Sequence, residues 1–120
     1  MISKLEEFNA YRQKMNERIL AADNKVIKRI YNIDTNAYME GALNIKTKEM
    51  MGLIASLVLR CDDCVKYHLI KCHENGMNDE ELFELLAIGN LVGGTIVIPH
   101  TRRAVEFWDE LGNMPATRSH

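Results

Sequence analysis

The sequence is poor in several residue types, and each scarcity narrows the kind of protein that it encodes. Its 120 residues include only three cysteines and two prolines, and aromatic residues make up 7%. Three cysteines are too few, and odd in number, for the disulfide framework of a small secreted protein. The first seven residues also lack the apolar run behind a basic start that a secretory signal needs. We therefore expect a reducing compartment, the cytoplasm.

The sequence also lacks a large excess of positive or negative charge, and it lacks long apolar runs. The formal net charge is -2, which gives no electrostatic indication of nucleic acid or of an anionic membrane surface. No segment approaches the roughly 18 to 20 apolar residues of a membrane-spanning helix. The one arginine pair, Arg102 and Arg103, is interpreted as part of a solvated helix face. We expect neither a nucleic-acid partner nor a membrane.

The composition that is present is typical of a folded globular chain. Hydrophobic residues make up 47% and charged residues 27%, which argues against disorder. The length suits one hydrophobic core and is too short for two. We predict a single domain over residues 1–120.

Apolar residues in the first half recur at helical spacing. Ser3 and Glu6 form an S-x-x-E capping box, which predicts a helix from there to about residue 22. A second amphipathic helix is predicted to start near Val26 and to end within 34–36. Residues 34–46 are predicted to connect it to the next helix, with a possible helical turn at their centre.

Thr47 is the predicted N-cap of a third helix that continues to about Leu59. Nearly every position from Met50 onward is apolar or small, so this helix should be buried on most sides. Glu49 falls in its predicted first turn, where a carboxylate is favourable to the helix dipole. That simple role is one interpretation of Glu49.

Three further segments have clear starts and stops. A helix is predicted from Cys61 or Asp62 to Glu74, with Gly76 as its left-handed C-terminal residue. Asn78 and Glu81 repeat the capping-box spacing and open a helix to about Leu91, where Gly93 and Gly94 interrupt the pattern. Helical spacing returns from Arg103 to Leu111, Gly112 stops it, and residues 116–120 are expected to be loose.

The segment between the helix that ends near Leu91 and the one that starts near Arg103 contains a β-branched run, Thr95 to Ile98. Propensity alone predicts that this run is a short strand.

The chemically distinctive stretch is a C-x-x-C pair followed by a histidine. Cys61, Cys64 and His68 follow Glu49 in the pattern E-x11-C-x-x-C-x3-H. On a helix, Cys64 and His68 lie one turn apart on the same face. A helix start and a nearby imidazolium both lower the pKa of a thiol, and cysteines three apart are close enough for a disulfide. One sulfur could therefore attack a substrate while the other resolves the product, and the residues alone do not decide which.

Other interpretations of these residues are structural or metal-binding. Cys61, Cys64 and His68 could hold a metal with a fourth ligand from elsewhere, but Cys72 lies roughly 16 Å from Cys61 along one helix, too far for the same ion. Cys72 is better interpreted as a small buried hydrophobe. We predict no metal site, and the histidines without a motif partner are interpreted as structural or solvated: His73, His100 and His120.

The whole pattern resembles the carboxymuconolactone decarboxylase superfamily, and within it the AhpD-like alkylhydroperoxidase branch. The resemblance covers roughly residues 40–110 and includes short flanking matches as well as the motif: Gly41-Ala42-Leu43, Thr47-Lys48-Glu49, Gly76, Glu80-Glu81-Leu82 and Gly93-Gly94. It implies an all-α, compact domain of about five or six helices, with helix rather than strand at residues 95–98.

The resemblance also implies a function, a thiol-dependent peroxidase without a cofactor. Cys64 would be the peroxidatic cysteine, Cys61 would resolve it, and His68 with Glu49 would relay protons. The implied partners are a peroxide substrate, a dithiol reductant such as a lipoyl-bearing or thioredoxin-like protein, and other copies of the chain in a homotrimer or homohexamer. Alternatives are a lactone decarboxylase, which as a branch does not depend on a C-x-x-C pair, and a non-catalytic or metal-binding redox sensor.

Overall fold

Helices account for all the regular structure in residues 3–112, the part of the chain that the computed structural model describes. Within that range there is no strand. The α-helices, in chain order, are α1 (Lys4–Ala21), α2 (Lys25–Ala37), α3 (Ile45–Val58), α4 (Asp62–Glu74), α5 (Asp79–Gly93) and α6 (Ile98–Gly112), with a 3₁₀ turn at Thr95–Val97. The predicted all-α fold is confirmed. None of these helices is both long and apolar enough to cross a bilayer.

The chain divides into two compact units, Met1–Met39 and Glu40–His120. The first unit contains α1, which starts with the predicted capping box at Ser3 and Glu6, and α2. The side-chain oxygen of Asn24 caps α2 by accepting two backbone N–H bonds. This helix extends to Ala37, slightly beyond its predicted end, and none of its residues is buried.

The second unit builds its core from α3, α4, α5 and α6. Helix α3 packs against α4 and α5, and α4 packs against α6. Between α3 and α5 the Leu57 side chain packs against the backbone of Gly89, where an added Cβ atom would lie 2.9 Å from Cδ2 of Leu57. The largest fully buried side chains are Phe107, Leu53, Leu57, Leu69, Leu82, Leu111, Val97 and Cys72.

The predicted start of α3 is wrong by one turn. Asn44 is the N-cap, and its Oδ1 accepts the backbone N–H of Thr47 at 2.8 Å. Asn is as good a cap as Thr, and capping by Asn44 makes Thr47 the third helical residue. Glu49 therefore lies beyond the first turn, where the interaction with the helix dipole has faded.

The segment after α5 is helical, as the family resemblance implied and propensity did not. Gly94 takes a left-handed φ of 82°, which ends α5 and redirects the chain into the 3₁₀ turn. Val97 is fully buried, so tertiary packing overrides its preference for a strand. Helix α6 begins at Ile98, earlier than the predicted Arg103, because Pro99 is tolerated in a first turn that needs no N–H donor there. The predicted loose tail, residues 116–120, lies outside the described residues.

Candidate active site

The turn between α3 and α4 places the first cysteine. The N–H of Cys61 donates to the carbonyl of Ser56, and the N–H of Arg60 donates to that of Leu57, both at 3.0 Å. These two bonds form a Schellman motif, in which Arg60 takes the left-handed position with φ 63°. The end of α3 thus fixes the backbone of Cys61.

Cys61 is also the N-cap of α4. Its Sγ accepts the backbone N–H of Cys64 at 3.3 Å, and its carbonyl accepts that of Val65 at 2.9 Å. The two cysteines form a disulfide with their Cα atoms 5.3 Å apart, inside the range that the C-x-x-C spacing predicts. Cys64, the third residue of α4, is exposed, whereas Cys61 is half-buried.

A buried carboxylate and imidazole form the second part of the site. Nδ1 of His68 on α4 lies 2.8 Å from Oε1 of Glu49 on α3, and the two residues are 8% and 4% exposed. A carboxylate only accepts hydrogen bonds, so Nδ1 carries the proton and donates it to Glu49. In the neutral ring, Nε2 is then the nitrogen that can take up a proton.

Helix α4 brings these two parts together. Cys64 and His68 are four residues apart and therefore lie on the same face, with Glu49 behind the imidazole. The structure thus holds the four predicted site residues as two pairs: the disulfide-forming Cys61 and Cys64 at the start of α4, and His68, one turn after Cys64, bonded to Glu49 of α3. This arrangement can activate a thiol and resolve its oxidised form.

Two residues further along α4, Cys72 and His73, have structural environments. Cys72 is fully buried, and burial, assisted by the charge of Glu49, raises the pKa of its thiol to about 12. His73 packs edge-to-face against Trp108, with ring centroids 5.3 Å apart, which fits its structural interpretation. Between residues 3 and 112, no three or more His, Cys, Asp or Glu side chains are arranged to hold a metal ion. His120 lies beyond the described residues.

A third cluster was not predicted from the sequence. Oδ1 of Asp62 lies 2.8 Å from Nδ1 of His100, and Oδ2 of Asp62 accepts from Nε of Arg103 at 2.8 Å. Partial burial raises the pKa of Asp62, but the hydrogen bonds and positive charge of His100 and Arg103 outweigh it and hold that pKa below its usual value. Arg103 is exposed, as expected for a residue on a solvated helix face, but its guanidinium also pairs with Asp62. The signal in the sequence was an i, i+3 pair of basic residues on α6, but only the packing of α6 on α4 shows which acid they contact.

Known proteins are similar to this chain in sequence and in fold. Two crystal structures of one Thermotoga maritima protein are 52% and 51% identical to this chain, with TM-scores of 0.88 and 0.87. Each match covers 90% of this chain, and 95% and 92% of the respective structures. One of the two is described as a carboxymuconolactone decarboxylase family protein with a suggested part in the antioxidative response.

Two more distant proteins are also similar, one in structure and one in sequence. An apo structure of a carboxymuconolactone decarboxylase family protein from Legionella pneumophila is 20% identical, has a TM-score of 0.83, and matches over 92% of this chain and 98% of its own. An uncharacterized protein of Cupriavidus necator is 29% identical over 75 residues, which are 62% of this chain and 66% of that protein. The match therefore spans just under two thirds of the Cupriavidus protein.

The sequence profile of the carboxymuconolactone decarboxylase family matches residues 25–107, a segment that contains the cysteine pair, His68 and Glu49. This match covers well over half of the chain and includes α3, α4 and α5 in full. The chain therefore belongs to the carboxymuconolactone decarboxylase family.

Proposed function

We propose that this protein is a thiol-dependent peroxidase of the AhpD-like type. The observation that carries the proposal is the disulfide-forming pair Cys61 and Cys64 beside the buried pair of Glu49 and His68. A cysteine peroxidase needs an attacking thiolate, a resolving thiol and a proton relay. The description of the similar Thermotoga maritima protein points in the same direction.

The reaction follows from these four residues. Nε2 of His68 takes the proton of the Cys64 thiol, directly or through water, while Glu49 stabilises the resulting imidazolium. The Cys64 thiolate attacks one peroxide oxygen, the O–O bond breaks, and the leaving alkoxide takes the proton from His68. The products are an alcohol and the sulfenic acid of Cys64.

Resolution uses the second cysteine. The Cys61 sulfur attacks the sulfur of the Cys64 sulfenic acid, and the expelled hydroxide combines with the Cys61 proton to form water. Each peroxide thereby takes two electrons from the two thiols, which are oxidised to the Cys61–Cys64 disulfide. An external dithiol then reduces it by exchange and leaves as its own disulfide.

Exposure and position favour Cys64 as the attacking residue. It lies in the first turn of α4, where the helix N-terminus stabilises a thiolate, and it is the more exposed of the two cysteines. It is also the one that lies a single turn from His68. Cys61, half-buried in the turn, is placed to resolve.

The reductant and the compartment follow from the same cycle. A dithiol that reaches the Cys61–Cys64 disulfide can reduce it by exchange, so a lipoyl-bearing protein or a thioredoxin-like protein would serve. A reducing compartment such as the cytoplasm would keep that donor in its reduced, dithiol form.

We also propose that the chain assembles with copies of itself, as a homotrimer or homohexamer. Helices α3 and α5 form an open apolar groove of about 620 Å³, lined among others by Met51, Ile54, Val58, Leu59, Ile88 and Val92. On α2, an apolar stripe of Val26, Ile30 and Ile33 is more than half exposed. Each surface is an apolar patch of the kind that protein interfaces cover, and the small net charge opposes assembly of identical copies little.

Single-cysteine variants test the peroxidase. Peroxide consumption is measured with hydrogen peroxide and an alkyl hydroperoxide, using dithiothreitol or dihydrolipoamide as donor, for the native chain, Cys61→Ser and Cys64→Ser. Cys64→Ser should abolish turnover. Without a donor thiol, which would itself reduce a sulfenic acid, Cys61→Ser should consume about one equivalent of peroxide and leave a sulfenic acid that dimedone traps.

Cys72→Ala is the matched control and should retain turnover. The proposal fails if the native chain turns over neither peroxide, or if Cys61→Ser and Cys64→Ser both consume peroxide at the native rate. A lactone decarboxylase assay and a metal analysis of the purified protein would then test the alternative functions.

A further inference from the structure

Both carboxylate oxygens of Asp62 are occupied by side chains from a different helix. Oδ1 contacts His100 and Oδ2 accepts from Arg103, each at 2.8 Å, and both partners lie on α6. Asp62 is the first residue of α4, next to Cys61 and two residues before Cys64. The cluster therefore adjoins the redox pair without containing any of the four proposed catalytic residues.

The imidazole of His100 has two competing neighbours. Its Nδ1 lies 2.8 Å from Oδ1 of Asp62 and 3.1 Å from Nη2 of Arg103. A carboxylate only accepts and a guanidinium only donates, so Nδ1 bonds to one of them at a time. The permanent positive charge facing Asp62 is therefore that of Arg103, which also reaches a carboxylate oxygen directly.

An unbalanced carboxylate at this position would oppose thiolate formation. Negative charge close to a thiol raises its pKa, whereas the helix N-terminus and nearby positive charge lower it. Asp62 improves the start of α4 through the helix dipole, but it also places a carboxylate next to Cys61 in the chain and two residues before Cys64. Arg103 offsets that charge while leaving Asp62 in place.

We propose that Asp62 and Arg103 are positioning residues for the redox pair, in which Arg103 neutralises Asp62 and so keeps the thiols of Cys61 and Cys64 acidic enough to react. The inference rests on the proposed function, which is the reason that the protein would need acidic thiols. Its physical content, the acidity of the thiols, is measurable without any peroxide.

The test compares thiol reactivity in charge variants of the cluster. The pH dependence of iodoacetamide alkylation is measured on the reduced protein in the Cys72→Ala background, for Arg103→Gln, Asp62→Asn and the double variant. Arg103→Gln should lower the rate at pH 7 by about 3- to 10-fold, which corresponds to a rise of roughly half to one unit in thiol pKa. Asp62→Asn should raise the rate, and the double variant should return close to the native value.

Two further variants separate charge from simple packing. Arg103→Lys restores the positive charge without the planar guanidinium and should recover most of the rate. Arg102→Gln removes an exposed charge from the neighbouring position of the same helix and should leave the rate unchanged. Urea unfolding of every variant shows which changes also affect stability.

The inference requires that Arg103→Gln and Asp62→Asn shift the alkylation rate in opposite directions. If Arg103→Gln and Asp62→Asn shift the alkylation rate in the same direction, or if neither shifts it, the cluster only joins α4 to α6 and the inference is overturned. Absence of peroxide turnover in the native chain, together with the expected opposite shifts, would refute the peroxidase and leave this inference standing. Normal peroxide turnover in the native chain, with no shift of the alkylation rate in either variant, would support the peroxidase and overturn this inference.

Discussion

Three cysteines of the same short segment have different environments, and the environment decides which of them can react. Cys61 and Cys64 lie at the N-terminal end of α4, where backbone N–H groups stabilise negative charge. Cys72 lies two turns further along, fully buried and close to the charge of Glu49. Desolvation and like charge both favour its neutral thiol.

Cys72 should therefore be inert in the folded protein. With the protein reduced and treated with iodoacetamide at pH 8, we expect mass spectrometry to find modification of Cys61 and Cys64 but not of Cys72. After unfolding in urea all three should react, which serves as the control. Labelling of native Cys72 at the rate of the other two would contradict the assignment.

The buried pair of Glu49 and His68 makes a second prediction about a single residue. Glu49→Gln keeps the size and an acceptor oxygen but removes the charge that stabilises a protonated His68. We expect kcat/KM for peroxide to fall by about 10²-fold, at the lower end of the usual contribution of acid–base catalysis.

The control for this variant is Glu84→Gln, the same chemical change at an exposed position of α5, which should leave kcat/KM unchanged. Circular dichroism should show that both variants keep their helical content. Native turnover in folded Glu49→Gln would remove Glu49 from the proton relay.

At the level of single residues, sequence reasoning succeeded where the relevant distance is local. The spacing of Cys61, Cys64 and His68 is enough to place them, because one helix sets all three positions. The cluster of Asp62 with His100 and Arg103 was missed because residues about 40 positions apart meet only through the packing of α6 on α4. No pattern within either helix specifies that packing.

Two helices of the second unit end in the same motif with different residues at the left-handed position. Helix α3 ends with Arg60 at φ 63°, and α4 ends with Gly76 at φ 86°. In both, the N–H of the left-handed residue and the N–H of the next residue donate to carbonyls of the last helical turn. The acceptors are Leu57 and Ser56 in α3, and His73 and Cys72 in α4. A residue with a Cβ is strained in this conformation and glycine is not.

Substitutions at the two positions should therefore have opposite effects. Arg60→Gly should raise the free energy of unfolding by about 1 kcal/mol, and Gly76→Ala should lower it by about 1 kcal/mol. Urea unfolding of the reduced proteins measures both. Arg60→Ala is the matched control, since it removes the guanidinium and keeps the Cβ, and it should not reproduce the gain. Equal stability of Arg60→Gly and Arg60→Ala would show that the conformation stores no strain.

Helix boundaries were predictable where one residue type dominates the local choice. The capping boxes at Ser3 and Asn78 and the glycine at Gly76 are confirmed, because each supplies a specific bond or conformation. The start of α3 was wrong because Asn44 and Thr47 are both good caps. For Thr95–Val97, burial of Val97 outweighs strand propensity, and burial depends on the rest of the fold.

Exposed apolar area is the main unexplained property of the whole molecule. Large hydrophobic side chains remain exposed on α2 in the first unit and on α3 and α5 in the second, with Leu91 83% and Leu59 77% exposed. The sequence predicted α3 to be buried on most sides, and within the single chain Met51 and Leu59 are not. A hydrophobic surface this extensive is typical of a protein interface.

If copies of the chain cover the groove between α3 and α5, a charge placed there should break the assembly. We expect the native chain to sediment as a trimer or hexamer at micromolar concentration, and Ile88→Glu, which places a carboxylate in the groove, to shift the mass towards the monomer. Ala87→Glu puts the same charge on an exposed neighbouring position outside the groove and should sediment like the native chain. Because Ile88 is already half exposed, the variant monomer should keep its helical circular dichroism. A native chain that sediments as a monomer, or an Ile88→Glu variant that keeps the native mass, would show that identical copies do not cover this groove.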